Sequence, residues 1–239
     1  MAEQTSENHP NPESAENGIP QKPFEAPEGS TSIVLVRHGA TQPAHADRPF
    51  PSKDGHGDPE LAPDGHEQAH LVGARLADLH SLEPYAALYV SSLIRTHQTA
   101  GPFNSHTGLD MIVEPDLREV HLGDYEGGLL RVKGAEGDPV VREVYRQERW
   151  DVIPGAEPWA EFQGRCVGAV ERIREKHSGE RVVVVVHGGV IGAVLAYVAD
   201  SRRFAFVGAD NASLNEITHL GDPFNRWILR SFNDTTHLV

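Results

Sequence analysis

A single cysteine, Cys166, stands among 239 residues, so no internal disulfide can form and no Cys-x-x-Cys pair is available to hold zinc. A reducing cytoplasm is the expected setting. Basic residues are also scarce: 21 Lys and Arg face 35 Asp and Glu, a formal net charge of −14 that repels DNA, RNA and anionic lipid. No apolar run is long enough to cross a bilayer, and the start of the chain has neither the basic n-region nor the apolar h-region of a secretion signal. Neither nucleic acid nor membrane is expected as a partner. The 14 histidines are scattered, and none falls in a His-Glu-x-x-His or comparable ligand spacing. No metal and no cofactor is expected.

What the chain does contain changes character near residue 31. Met1 to about Ser30 is rich in Glu, Asn, Pro and Ser with almost no branched apolar residues, too little to offset chain entropy, so residues 1–30 are expected to form a disordered tail. Residues 31–239 alternate short β-branched runs with helical periodicity, as in a single α/β domain. The predicted strands are Ile33–Val36, Ala87–Val90, Met111–Val113 and Val182–Val186. Helices are predicted from Pro63 to about His80, about Arg95 to His106, Pro139 to Trp150, Pro158 to His177 and Gly189 to Val198. Two late strands, near Leu214–Thr218 and Trp227–Ser231, read as an antiparallel edge hairpin around Gly221-Asp222. Val182–Val186 is apolar on both pleat faces, as in a central parallel strand covered on both sides. A three-layer α/β/α sandwich follows, its central sheet mostly parallel.

Three of these strands end in groups suited to an anion: Arg37-His38-Gly39, Ser91-x-Leu93-x-Arg95 and His187-Gly188-Gly189. In an open α/β sheet ligands bind at the carboxyl edge, so parallel strands would bring two arginines and two histidines together there. Like charges in so small a volume need an anion, and a phosphate accepts forked hydrogen bonds from guanidinium and single ones from imidazole. Phosphoryl transfer asks chiefly for such positioning and charge stabilisation.

Five motifs in order, from Arg37-His38-Gly39 through Leu61-x-x-x-Gly65-x-x-Gln68-Ala69, Ser91-x-Leu93-x-Arg95-x-x-Gln98-Thr99-Ala100 and Leu117-x-Glu119-x-x-x-Gly123-x-x-Glu126-Gly127 to Val186-His187-Gly188-Gly189, resemble the histidine phosphatase superfamily, also called phosphoglycerate mutase-like. The resemblance runs from about Ile33 to the C-terminus. It implies that His38 is the nucleophile, that Arg37, Arg95 and His187 hold the transferring phosphoryl group, and that Glu119 is the general acid, without a metal. Glu114, Asp116, Asp124 and Glu126 lie near Glu119, so an ordinary solvated acidic loop is the alternative for that segment. Thr41 is retained from the motif and is expected to donate to phosphate. Ala44 stands where the family often has Asn, so part of the phosphate shell must come from elsewhere; His45 is one candidate.

The Pro-, Asp- and Gly-rich stretch from Gln42 to Glu60 is too long for a simple connector and reads as a lid or wall over the site, as does Leu130 to Trp159. Trp150, Trp159, Tyr125 and Tyr145 are candidates to shape a leaving-group pocket or are simply core. The mutase branch typically has Arg directly after the catalytic Glu and a Gly-Trp segment before Leu-x-x-x-Gly; here Val120 follows Glu119 and the Gly-Trp segment is absent. These differences favour a phosphomonoester hydrolase working through a phosphohistidine on a small phosphorylated metabolite. Phosphoglycerate mutase-type transfer is the alternative, and a non-catalytic phosphate-binding module the third reading. Whether the chain works alone or as a homodimer is left open.

Overall fold

The computed structural model describes residues 21–239, so the first 20 residues of the expected tail lie outside the described residues. The chain runs β1 (Thr31–Arg37), β2 (Ser52–Lys53), β3 (His56–Gly57), α1 (Pro63–Leu82), β4 (Ala87–Val90), α2 (Ile94–Thr107) and β5 (Met111–Val113). It continues through α3 (Leu129–Ala135), α4 (Pro139–Gln147), α5 (Trp159–Lys176), β6 (Arg181–Val186), α6 (Gly188–Val198), β7 (Leu214–Leu220) and β8 (Arg226–Asp234). Six strands form one sheet in the order β5-β4-β6-β1-β7-β8, and β2 and β3 make a separate small hairpin. β1, β4, β5 and β6 are parallel, while β7 and β8 close one edge antiparallel.

Alternation along the strands decides what each face buries. Ile33, Leu35, Tyr89, Val182 and Val184 pack under Phe162, Cys166, Val170 and Ile173 of α5 and Val190, Ile191 and Val194 of α6. Val34, Val36, Leu88, Val90, Val183 and Val185 face Val72 and Leu76 of α1 and Ala100 and Phe103 of α2. The result is the expected three-layer sandwich. Every residue from Val182 to Val186 is at most 1% exposed, the burial a two-sided central strand requires.

Besides the short β2–β3 hairpin, which the sequence reading did not contain, two helical segments differ from it. The predicted helix from Pro139 to Trp150 ends at Gln147, because Glu148 takes a left-handed backbone with φ of 53°, and the chain resumes as a single 3-10 turn at Trp150–Val152. Helix α3 was not anticipated: it is only seven residues long and enters from Gly128, at φ of 98°, which hides its periodicity.

Candidate active site

The carboxyl ends of β1, β4 and β6 meet at one edge of the sheet, as parallel pairing of neighbouring strands requires. The loop after β1 is held tightly there. Gly39 N–H donates to Thr99 Oγ1 at 3.0 Å, Ala40 N–H to Gln68 Oε1 at 2.8 Å, and Asn211 Nδ2 to His38 O at 2.8 Å. Gly65 lets α1 abut this loop: a Cβ on it would lie 1.9 Å from Ala40 O. The glycine and glutamine of the second motif thus fix the histidine loop through packing and hydrogen bonds.

His38 is 4% exposed, and its Nδ1 lies 2.8 Å from Gly39 O, where the ring N–H donates to the carbonyl. Nε2 then carries the ring's lone pair, which accepts from Arg95 Nε–H at 3.3 Å. Burial first, then the Arg95 and Arg37 charges, hold the imidazole well below the ordinary histidine range, which keeps it neutral. Arg95 enters from the first turn of α2 and is tied by its guanidinium to Gly57 O at 3.0 Å, with Asp58 Oδ1 at 3.7 Å. Its burial lowers its own pKa to about 10, so it remains a cation at neutral pH. Arg37, also shifted down by burial, donates to Ala209 O, and its Nε is buried without a protein partner.

His187 lies edge-on to His38, ring centroids 5.2 Å apart, and is fully buried. Its Nε2 is 2.8 Å from Ser91 Oγ. Ser91 Oγ also accepts from Leu93 N–H; when its hydrogen is given to His187 Nε2, the ring proton sits on Nδ1, which has no protein partner. Burial and the Arg95 charge keep this imidazole neutral too, with its pKa well below the usual value.

Glu119 reaches the same place from the loop after β5. Its Oε2 accepts from Gly189 N–H at 3.1 Å and its Oε1 from Val120 N–H at 3.0 Å. Gly189 is needed at that contact, because a Cβ there would meet Glu119 Oε1 at 2.3 Å. Glu114 and Asp116 pair with Arg172, while Glu126 also lines the site but accepts from the Leu122, Gly57 and Gly127 N–H groups. Arg165 of α5 clamps the loop. It donates to the carbonyls of Asp116, Arg118 and Glu119 and to both oxygens of Glu157.

Arg37, His38, Arg95 and Glu119 line a cavity of about 270 Å³ together with Phe50, His56, Gly57, Glu126, Leu130 and Arg131. That is below the roughly 300–1,000 Å³ of pockets for drug-sized ligands. The β2–β3 hairpin inside Gln42–Glu60 forms one wall, and the start of the Leu130–Trp159 stretch forms another. Trp150 and Trp159 do not reach the cavity: they are buried against Phe204, with centroids 5.0 and 6.1 Å away, on the α5 side of the sheet. Thr41 is not on the cavity wall either; its hydroxyl accepts from Arg131 at 2.8 Å. His45 is exposed and outside the cavity, since Ala44 turns inward against Gly128 and Phe50 in its stead. Among the described residues no cluster of three or more His, Cys, Asp or Glu side chains is arranged to hold a metal ion, and no helix is long and apolar enough to cross a membrane.

Sequence reasoning missed Arg131, Arg165, His56 and Asn211. Two stretches read as walls of the site, Gln42–Glu60 and Leu130–Trp159, contain His56 and Arg131; Arg165 and Asn211 carried no signal.

The chain is 36% identical over 209 residues to phosphoglycerate mutase-like protein 4 of Arabidopsis thaliana, covering 86% of each. It is 36% identical over 211 residues to a metal-independent phosphoserine phosphatase of the same plant, covering 87% of this chain and 83% of the relative. A mycobacterial glucosyl-3-phosphoglycerate phosphatase superposes with a TM-score of 0.70 at 26% identity, over 86% of this chain and all of that one. The model of the histidine phosphatase superfamily (branch 1) matches residues 33–235, and the chain belongs to that family.

Proposed function

We propose that the chain is a phosphomonoester hydrolase that carries the phosphoryl group on His38 Nε2. One observation carries this reading: a buried, neutral imidazole whose Nδ1–H is spent on Gly39 O, leaving Nε2 beside the Arg95 guanidinium and the His187 ring. The lone pair of Nε2 attacks phosphorus, and the bond from phosphorus to the leaving oxygen breaks. Glu119 gives that oxygen its proton. Arg37, Arg95 and His187 Nδ1–H neutralise charge on the equatorial oxygens. In the second half-reaction Glu119 takes a proton from water, whose oxygen attacks phosphorus while the N–P bond breaks, releasing inorganic phosphate. No step calls for a metal ion or a cofactor.

The cavity volume supports a small leaving group, and the single thiol, buried at Cys166, supports a cytoplasmic setting. Phosphoserine and glucosyl-3-phosphoglycerate, named for two of the similar proteins, are the first substrates to try. Phosphoryl transfer between the oxygens of phosphoglycerate is the reading suggested by the mutase-like relative, but Val120 puts an apolar side chain where that branch typically has arginine. The test is turnover of p-nitrophenyl phosphate in excess EDTA. Wild-type hydrolysis abolished in His38→Ala is expected; strict dependence on a divalent ion overturns the mechanism. Transfer on phosphoglycerate outpacing phosphate release would make the enzyme a mutase.

A further inference from the structure

The cavity wall carries one guanidinium more than the mechanism above uses. Gly128 caps the start of α3, and its carbonyl accepts from Arg131 N–H at 3.1 Å. A Cβ on Gly128 would meet Phe50 Cε2 at 2.7 Å and Ala44 Cβ at 2.9 Å, so the small residues at 44 and 128 let the start of α3 settle directly on the 44–50 segment. That seating carries Arg131 to the cavity wall. One terminal nitrogen donates to Thr41 Oγ1 at 2.8 Å, the other to Gln42 O at 3.4 Å, and the guanidinium carbon stands 5.7 Å from the centre of the Phe50 ring. The side chain is therefore aimed by these contacts, although the residue as a whole remains exposed.

Among the described residues no carboxylate pairs with Arg131. Its pKa is lowered by burial and by the Arg37 charge, so it feels another cation where an ordinary surface arginine would feel an anion. Its own charge reaches His38 and Arg95. A partly desolvated cation beside two others is held at a cost that an arriving anion relieves.

We infer that Arg131 donates to a non-bridging oxygen of the transferring phosphoryl group, as a third guanidinium beside Arg37 and Arg95, and that Thr41 acts by positioning it. This rests on the hydrolase reading for the reaction, but the anion contact does not need turnover. It also gives Thr41 a different task from direct donation to phosphate: its lone pair fixes the guanidinium, while α3 supplies the donor that neither Ala44 nor His45 provides.

The test measures inorganic phosphate binding by calorimetry, together with kcat/KM for p-nitrophenyl phosphate and for carboxylate-bearing phosphoserine. Arg131→Ala is expected to weaken phosphate binding about 10- to 100-fold, the range for a lost charged hydrogen bond, and to lower kcat/KM by a similar factor for both substrates. Arg131→Lys should fall between. Thr41→Val should reproduce part of the loss and Thr41→Ser should restore it, while Thr41→Val added to Arg131→Ala should cost nothing more. Unchanged phosphate affinity in Arg131→Ala overturns the inference. So does a loss confined to phosphoserine, which would make Arg131 a reader of the leaving group, or a Thr41→Val defect that persists in full without Arg131. Wild-type protein that binds phosphate through Arg131 yet hydrolyses no phosphomonoester would refute the hydrolase reading alone.

Discussion

Gly189→Ala separates folding from catalysis at the second residue of α6. The new Cβ would lie 2.3 Å from Glu119 Oε1 and 3.1 Å from Glu119 Cδ, against the 3.4 Å at which ordinary contact begins, so the carboxylate must retreat by about 1 Å. The atom that yields is the end of a flexible side chain, and the helix backbone need not move. Alanine is better than glycine in a helix by about 1 kcal/mol, while loss of the Gly189 N–H···Oε2 bond costs about the same, so stability should hardly change. A residual imbalance of 1 kcal/mol shifts Tm by only about 2–4 °C in a protein of this size. Catalysis should respond strongly, because misplacing a reacting group by 1 Å costs on the order of 100-fold. Differential scanning fluorimetry and kcat on an alkyl phosphate such as phosphoserine check both halves. A Gly189→Ala enzyme with wild-type kcat, beside a Glu119→Gln enzyme that has lost 100-fold or more, would refute the contact geometry. Wild-type kcat in Glu119→Gln would refute the role of the acid.

Other outcomes follow from neighbouring groups. His38 is held neutral well below the ordinary histidine range, so kcat/KM should show no acid limb near the unperturbed pKa of about 6.5. The nucleophile is the unprotonated ring, so activity is lost only as pH falls through the depressed value, which a pH–rate profile and the His38 ring-proton NMR titration would reveal. Arg165→Ala breaks the partly buried pair with Glu157 and the clamp on three carbonyls, and should cost about 3–5 kcal/mol in urea denaturation at pH 7. Glu157's carboxyl is shifted down by Arg165, although burial opposes the shift, so the stabilisation is complete above the ordinary glutamate pKa of about 4.3 and drains as pH falls through the lower folded value. The gap between wild type and Arg165→Ala should therefore narrow below pH 4. Ser91→Ala removes the hydroxyl beside His187 Nε2 and also the acceptor of the buried Leu93 N–H, so a fall in kcat of about tenfold is expected together with a Tm lower by several degrees, about 2–4 °C per kcal/mol lost.

Much of this arrangement could be read before folding was considered, because the β-branched runs of β1, β4 and β6 are bounded on the same side by Arg37-His38, Ser91 and His187. Once strands are parallel, their ends coincide whatever the loops do. The individual roles of Arg131 and Arg165 were not legible for the opposite reason, although Arg131 lies in a stretch read as a wall. Each sits on a helix among other charged residues, and only the tertiary approach of α3 to Ala44 and of α5 to the 116–119 loop gives it a partner. His56 belongs to a two-residue strand that no periodicity can announce. The two tryptophan candidates are accounted for by burial: Trp150 and Trp159 satisfy a core around Phe204 on the far layer, and nothing in their spacing separates that from a wall of the cavity.

The covalent intermediate is the point on which the functional account turns. Wild-type and His38→Ala protein should be mixed with a fast phosphomonoester, quenched in alkali, where an N–P bond survives, and digested for mass spectrometry. Phosphate on the peptide containing His38 in the wild type, absent from His38→Ala, is the predicted result. Active wild-type enzyme with no phosphopeptide at any quench time, or with its phosphate on another residue, would contradict it.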